Sequence, residues 1–176
     1  MNAAAGVVAA MGDEGDLVAP RLARGCRCFA AWQGDTLIGY GWLSRTAEWI
    51  GELEVEITPA AGEAYVWNCV TLPPHRRMGA FRAVLRHIGA IGRKERLNRL
   101  WIGSMEDPAE KAVVDAGFVP ILNFEVTSSG GMRNLTVTAV ESAAPEAVHD
   151  LRVALARDRG LLSLGLTSDR SEARRH

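Results

Sequence analysis

The sequence predicts an α/β domain in which a mixed, mostly antiparallel sheet of six to seven strands carries helices on both faces. Three patterns support this prediction. Residues 26–43 read as a hairpin that turns at Gly34 and Asp35. Residues 52–57 alternate strictly between charged and apolar side chains, which is typical of a half-buried strand. Residues 65–91 run from an apolar strand through a basic loop into an amphipathic helix.

The remaining elements follow from periodicity and from turn residues. An apolar stripe predicts a first long helix that ends near residues 96–98, and Pro108 opens a second helix that closes with Gly117 at its C′ position. A short helix is expected within residues 12–24. The other expected elements are a strand at 65–72, a strand at 99–103, a strand at 121–126, a turn at 128–131, a strand at 135–140 and a helix from Pro145 to Gly160.

The loop that follows Pro73 and Pro74 has the chemistry of an anion site. Backbone N–H groups of a first helical turn have no partner within the helix, and the helix dipole favours an anion beside them. Arg76 and Arg77 add charged donors at the same place, and Gly79 lets the backbone come close to a ligand. The loop matches neither the P-loop pattern nor the dinucleotide-binding pattern.

Several segments in the right order resemble the GNAT superfamily of acyl-CoA-dependent N-acyltransferases. Arg76-Arg77-Met78-Gly79-Ala80-Phe81 is similar to its motif A, Arg/Gln-x-x-Gly-x-Gly/Ala, with Phe81 where the family has a small residue. Residues 71–75 stand where the family usually has Val-x-Pro-x-Tyr. Ala116-Gly117-Phe118 resembles the end of its motif B helix, and residues 37–41, Leu-Ile-Gly-Tyr-Gly, resemble its usual second hairpin arm. Together these segments cover roughly residues 22–126.

The resemblance implies an acetyl-CoA-dependent N-acetyltransferase that acts by direct attack of a primary amine on the thioester, without a covalent enzyme intermediate. It implies that the pantetheine arm of acetyl-CoA lies between two splayed strands and bonds to the backbone of Val70 and Thr71. The pyrophosphate would then lie on residues 76–81, namely Arg76, Arg77, Met78, Gly79, Ala80 and Phe81. No metal is expected.

The chain departs from the family at two positions of motif B. The Tyr that often protonates the leaving thiolate, four residues before the Gly, is replaced by Val113. The Asn that often precedes this helix is replaced by Glu106. Tyr65, Tyr40 or water would have to serve as the acid. An alternative function is therefore a catalytically silent GNAT-like module that binds acyl-CoA or regulates a partner.

Removing the proton of an ammonium acceptor needs a base. Glu52, Glu54 and Glu56 share one face of the predicted strand, and many family members use a strand Glu for this step. We rank Glu54 ahead of Glu52, because Glu54 is nearer the centre of that strand. Asn68 stands in an apolar strand, where a buried amide needs partners, and is a third candidate for the acceptor cleft.

Composition limits the classes that remain. The 176 residues are 48% apolar and 23% charged, which fits a single globular domain over residues 1–176. Its best-supported core is 22–126, followed by a strand and helix over 133–160 and a mobile tail at 168–176. A net charge of −1 argues against a nucleic-acid partner, and no apolar run is long enough to span a membrane.

Three cysteines without zinc spacing are expected to be reduced thiols of a cytoplasmic protein, with Cys26 and Cys28 on one strand face. The expected partner is a small-molecule or peptide amine, and a homodimer is compatible with the sequence. The segment before the hairpin is short for the resembled family, so its first strand is either missing or formed by residues 5–10.

Overall fold

The computed structural model describes residues 3–105 and 108–155. The elements within these ranges are the helices α1 (Ala3–Met11), α2 (Val18–Ala23), α3 (Ala80–Lys94), α4 (Ala109–Asp115) and α5 (Pro145–Leu155), and the strands β1 (Arg27–Gln33), β2 (Thr36–Ser44), β3 (Glu48–Ile50), β4 (Val55–Ile57), β5 (Glu63–Thr71), β6 (Arg99–Ile102), β7 (Leu122–Ser129) and β8 (Met132–Ala139). None of the described helices is both long enough and apolar enough to cross a membrane.

The central sheet has the order β1-β2-β5-β6. Its β1–β2 and β2–β5 pairs are antiparallel, whereas β5 and β6 run parallel with α3 between them in sequence. The predicted hairpin, the predicted helix after Gly79 and the strand that follows it are all present. The α/β class with a mixed sheet and helices on both faces is therefore confirmed, but the prediction of six to seven strands in one sheet is wrong, because the central sheet of the described residues has four.

Two further pairs of strands stand apart from this sheet. The strands β7 and β8 form a long hairpin, and β3 and β4 form a short one of three residues each. The prediction of a continuous strand over residues 52–57 is wrong. Glu52 and Glu54 lie in the turn between β3 and β4, where Glu54 has a positive φ of 54°. Alternation of charged and apolar residues also fits a turn that leads into a short strand, because the alternation does not show at which residue the strand begins.

One face of the sheet packs on α3. Leu85 and Ile88 of this helix are fully buried against Ala64 and Val66 of β5. The close approach depends on Gly41 in β2, because a Cβ at that position would lie 2.7 Å from the Cys69 sulfur and 3.0 Å from Val84. The amphipathic stripe that predicts α3 is thus the stripe that forms this core.

The opposite face packs on the N-terminal helices. Val7 and Met11 of α1 and Val18 of α2 join Tyr40 and Trp42 of β2 in a second core cluster. Residues 5–10 are therefore helical, so of the two alternatives for the first strand, the one that places it at residues 5–10 is wrong. Alanine is the strongest helix former, and Val7 and Met11 are four residues apart on one side of the helix. Residues 12–24 form a 3-10 helix, Gly12–Leu17, followed by α2.

The C-terminal helix α5 covers the remaining part of that face, where Ala154 and Leu155 pack with Tyr65 and Trp101. Arg99 of β6 holds α5 in place through an ion pair of 2.8 Å to Asp150. The predicted end of this helix at Gly160 and the predicted tail at 168–176 lie outside the described residues.

Phe81 offers a test of how α3 is seated. Its ring is half-buried and packs on the core cluster beneath α3, so Phe81→Ala should lower the free energy of unfolding by about 1.5–3 kcal/mol through lost burial and a cavity. Urea unfolding followed by tryptophan fluorescence measures this change, and Phe81→Leu, which keeps most of the apolar volume, should lose less. An alanine variant with wild-type stability would show that the ring faces the ligand side instead.

Candidate functional site

The loop between β5 and α3 presents an uncapped helix N-terminus. After the 3-10 turn Pro73–His75, the chain reaches Gly79, which is the N-cap of α3 in a left-handed conformation with φ 81°. No side chain of the described residues caps the helix, and its hydrogen-bond ladder begins at the N–H of Ala83, which donates to the Gly79 carbonyl at 2.9 Å. The N–H groups of the first turn are therefore available to an anion.

The space above this N-terminus is open. The nearest atom to a Cβ built on Gly79 is the Arg82 Nη2, at 3.8 Å. Arg76 and Arg77 are exposed, and neither takes part in an ion pair or side-chain hydrogen bond recorded for the described part of the chain. Arg82 is 3.6 Å from Asp115 of α4, so part of its charge is already balanced. The loop can present two unbalanced guanidinium groups and several N–H groups to one anion.

A gap opens between β5 and β6 beside this loop. The two strands pair only from Glu63 to Val66 on β5 and from Arg99 to Ile102 on β6. Beyond Val66, β5 continues through Thr71 with β2 on one side, and no described strand pairs with its other side. Backbone N–H and C=O groups along that side of β5 are open to a ligand that lies parallel to the strand. Val70 and Thr71, the residues predicted to hold the pantetheine arm, are on this stretch.

A β-bulge lies at the start of the gap. The pairing of β2 with β5 shifts between Tyr40 and Trp42, and Asn68 in the bulge adopts a left-handed backbone with φ 42°. Its Nδ2 donates to the Glu14 carboxylate at 3.4 Å. Its Oδ1 is buried and has no hydrogen-bond partner among the described residues. Asn68 is therefore turned toward the N-terminal helices, beside the gap.

Two charged residues beside the bulge, Arg21 and Glu14, were not predicted from the sequence. The Arg21 guanidinium of α2 is buried, lies 4.5 Å from the Trp67 ring centre and 5.3 Å from that of Trp42, and forms an ion pair of 3.2 Å with Glu14. Glu14 comes from the 3-10 helix between α1 and α2. Neither residue belongs to a motif, and their meeting depends on how the N-terminal helices pack on β2 and β5. No spacing signal in the sequence could have found them.

The predicted strand carboxylates have a different environment. Glu54 forms an ion pair of 2.6 Å with Arg133 of β8, and the same Arg133 donates to the Glu52 carbonyl. Burial raises the pKa of Tyr65 well above its usual range, and the charge of Glu52 adds to this effect. The charge of Glu52 is therefore near enough to act on Tyr65, whereas Glu54 is held by Arg133. Because both residues lie in a turn and not in a strand, position along the strand gives no reason for ranking Glu54 ahead of Glu52.

Helix α4 ends as motif B predicts. Gly117 has a φ of 100°, its N–H donates to the Val114 carbonyl, and the Phe118 N–H donates to the Val113 carbonyl. These two bonds form a Schellman motif. Val113, at the position of the usual Tyr, is buried in the core with α3, so this position supplies no acid. Glu106 lies outside the described residues.

The comparison with protein families identifies the fold family. The model of the acetyltransferase (GNAT) family matches residues 10–115, which is more than half of the chain. The chain belongs to the GNAT family. The match includes β5, the loop, α3 and all of α4, and it also includes Glu14 and Arg21. A comparison with curated proteins finds no match.

Several solved acetyltransferase structures are similar at low identity. A putative acetyltransferase from Agrobacterium tumefaciens str. C58 is 23% identical, over 61% of this chain and 72% of that one, with a TM-score of 0.46. An acetyltransferase from Trypanosoma brucei is 14% identical, over 65% and 84%, with a TM-score of 0.48. An aminoglycoside N-acetyltransferase in complex with CoA is 13% identical, over 65% and 83%, also with a TM-score of 0.48. The family assignment rests on the family model.

The bulge residue can be tested by its backbone conformation. A left-handed φ is tolerated by Asn and Gly but costs a β-branched residue about 1–3 kcal/mol. Asn68→Val should therefore lower the free energy of unfolding by that amount relative to Asn68→Gly, which keeps the conformation and also lacks the amide. Paired urea unfolding curves measure the difference. Equal stabilities would show that the bulge relaxes when Asn68 is replaced.

Proposed function

We propose that this GNAT protein is an N-acetyltransferase that transfers an acetyl group from acetyl-CoA to a primary amine, and that it works in the cytoplasm as a single domain. The observation that carries the proposal is the uncapped N-terminus of α3, placed at the end of a strand whose outer edge is open. Such a site places a helix N-terminus that can bind an anion next to an open strand edge that can bind amide groups. Acetyl-CoA has the same two parts in sequence, a diphosphate joined to an arm that contains amides.

In this arrangement each part of acetyl-CoA has a counterpart. The diphosphate accepts hydrogen bonds from the first-turn N–H groups of α3 and from Arg76 and Arg77. The amide groups of the pantetheine arm pair with the backbone of Val70 and Thr71 on the open side of β5. The thioester then reaches the bulge at Asn68, where the gap begins.

Transfer is direct in this proposal, because the cysteines nearest the bulge are poor nucleophiles. Burial raises the pKa of the Cys28 thiol to about 11 and that of the Cys69 thiol to about 12. Both sulfurs therefore stay protonated near neutral pH, and a thiol is a far weaker nucleophile than a thiolate. The acceptor amine itself attacks the thioester carbonyl, and the thiolate of CoA leaves.

A second candidate function is supported by Val113. Because this position belongs to the apolar core, the protein lacks the acid that many family members place there, which favours a module that binds acyl-CoA without transfer. The open loop and gap serve both functions equally. Incubation with acetyl-CoA and a panel of primary amines separates them, since only the enzyme releases CoA in an amine-dependent way.

The loop is tested by closing it with a charged side chain. Gly79→Glu places a carboxylate in the open space above the helix N-terminus, where it would repel the diphosphate and strain a left-handed residue. CoA binding measured by calorimetry should be lost. Gly130→Glu is the matched control, because Gly130 has a φ of 59° and open surroundings in the distant β7–β8 turn. Unchanged CoA affinity in Gly79→Glu would refute the site.

Arg76 tests the charged part of the cradle. If its guanidinium donates to the diphosphate, Arg76→Ala should weaken CoA binding by about 1.5–3 kcal/mol. Arg93→Ala removes an exposed charge from the last turn of the same helix and serves as the control. The loss should shrink as salt is added, because part of the interaction is electrostatic. Equal affinities of the two variants would show that Arg76 makes no specific contact.

A further inference from the structure

We propose that Glu14 is the carboxylate that binds the ammonium group of the acceptor and takes its proton, and that Arg21 and Asn68 are the residues that position it. This inference rests on the proposed function, and it adds a residue of the N-terminal segment to the site. It also gives the acceptor a chemical property, because a carboxylate at the point of transfer selects an amine that arrives as a cation.

The location of Glu14 is the first argument. The Asn68 Nδ2 donates to its Oε2 at 3.4 Å, and Asn68 is only two residues beyond Val66, where the pairing of β5 with β6 ends. The carboxylate therefore lies over the mouth of the gap in which the thioester is proposed to end. Glu52, by comparison, lies in the turn of a separate hairpin.

The asymmetry of the ion pair is the second argument. The Arg21 side chain is 8% exposed, whereas the Glu14 side chain is 57% exposed. A buried guanidinium that also stacks on two indole rings is rigidly placed, and it holds the Glu14 Oε2 in one position. The exposed part of the carboxylate can still be reached from solvent. An ion pair that served only to neutralise Arg21 would not require contact with the bulge.

Unsatisfied polar atoms in the same layer are the third argument. Among the described residues, the buried side-chain atoms without a hydrogen-bond partner are the Asn68 Oδ1, the Trp42 Nε1 and the Trp67 Nε1. The two indole rings lie 6.2 Å apart under Arg21. Unpaired buried groups are rare and costly, and each needs a reason. Because all three lie around one bulge and add nothing to stability, we infer that these polar groups serve a ligand site.

The reaction balances with Glu14 as the proton acceptor. The ammonium group gives one proton to the Glu14 carboxylate, and the resulting neutral amine forms the C–N bond at the thioester carbonyl. The C–S bond then breaks, the electron pair leaves with the CoA sulfur, and the second proton lost from nitrogen neutralises the thiolate. Glu14 returns its proton to water, so the products are the amide, CoA and one proton.

Other charged and titratable groups belong to the elements around Glu14. Arg21 lies on α2, Asp13 and Asp16 share its own 3-10 helix, and Tyr40 lies on β2. Burial, and then the Glu14 charge, raise the pKa of Tyr40, and the thiols of Cys28 and Cys69 have pKa values of about 11 and 12. These three groups stay neutral below pH 8 and therefore do not cause a loss of activity on acidification.

The test compares charge-removing variants across pH. Glu14→Gln should lower kcat/KM for the amine by about 10²–10⁴-fold and abolish the fall in activity on the acid side of the profile. Asp13→Asn and Asp16→Asn, which remove exposed charges from the same 3-10 helix, should keep both. CoA affinity measured by calorimetry should be unchanged in all three variants. A wild-type acid limb in Glu14→Gln, or loss of that limb in Glu52→Gln instead, would overturn the proposal.

Stability is measured in parallel, because Glu14 also pairs with Arg21. A lower Tm with an unchanged pH profile would show a structural role alone and would also overturn the proposal. If Glu14→Gln fails to fold, Glu14→Asp decides, since a carboxylate drawn back by one methylene should lower kcat for the amine and leave CoA affinity intact. A wild-type kcat/KM in Glu14→Asp would then refute the role. A protein that binds CoA but acetylates no amine would instead refute the proposed function itself.

Discussion

The structure depends on the point at which β5 and β6 part. Four residue pairs hold the two parallel strands together, and beyond Val66 the strand β5 continues with β2 as its only described neighbour. Ending the ladder early leaves backbone groups unpaired, which costs free energy unless solvent or a ligand satisfies them. Because β5 continues past the last pair with β6, the loop at Gly79 lies at the far end of the open edge of β5. The open edge and the position of the helix N-terminus beside it thus both follow from the short pairing of β5 with β6.

The bulge at Asn68 divides the two faces of β5. Before it, Ala64 and Val66 face α3, and Tyr65 and Trp67 face the helices on the other side. The extra residue shifts this alternation, so that Cys69 packs with α3 and Val70 joins the opposite cluster. Without the bulge Cys69 would follow Trp67 onto the N-terminal side. As the bulge residue, Asn68 does not follow the alternation of side chains between the two faces, and its side chain contacts Glu14.

Most of the fold could be predicted from the sequence because its signals are local. The stripe of α3, the Gly117 C-cap and the hairpin of β1 and β2 each depend on residues a few positions apart. The prediction of a strand over residues 52–57 was wrong. Three apolar residues in alternation fit a turn followed by a short strand as well as they fit one long strand. Residues 5–10 are helical because alanine favours a helix, and because Val7 and Met11, four residues apart, both join the core beneath α1. The loop between β5 and α3 was predicted for the same local reason.

The layer around Arg21 could not be predicted, and its physics explains why. A buried guanidinium is costly unless it is paired, and here its partners come from three separate segments, namely Glu14 and the rings of Trp42 and Trp67. Replacing such a group with an apolar residue of similar volume is often neutral or stabilising. Retaining it makes sense where the charge fixes the place of another group. In this protein that group is the half-exposed Glu14 carboxylate, which Arg21 holds against the bulge at the mouth of the gap.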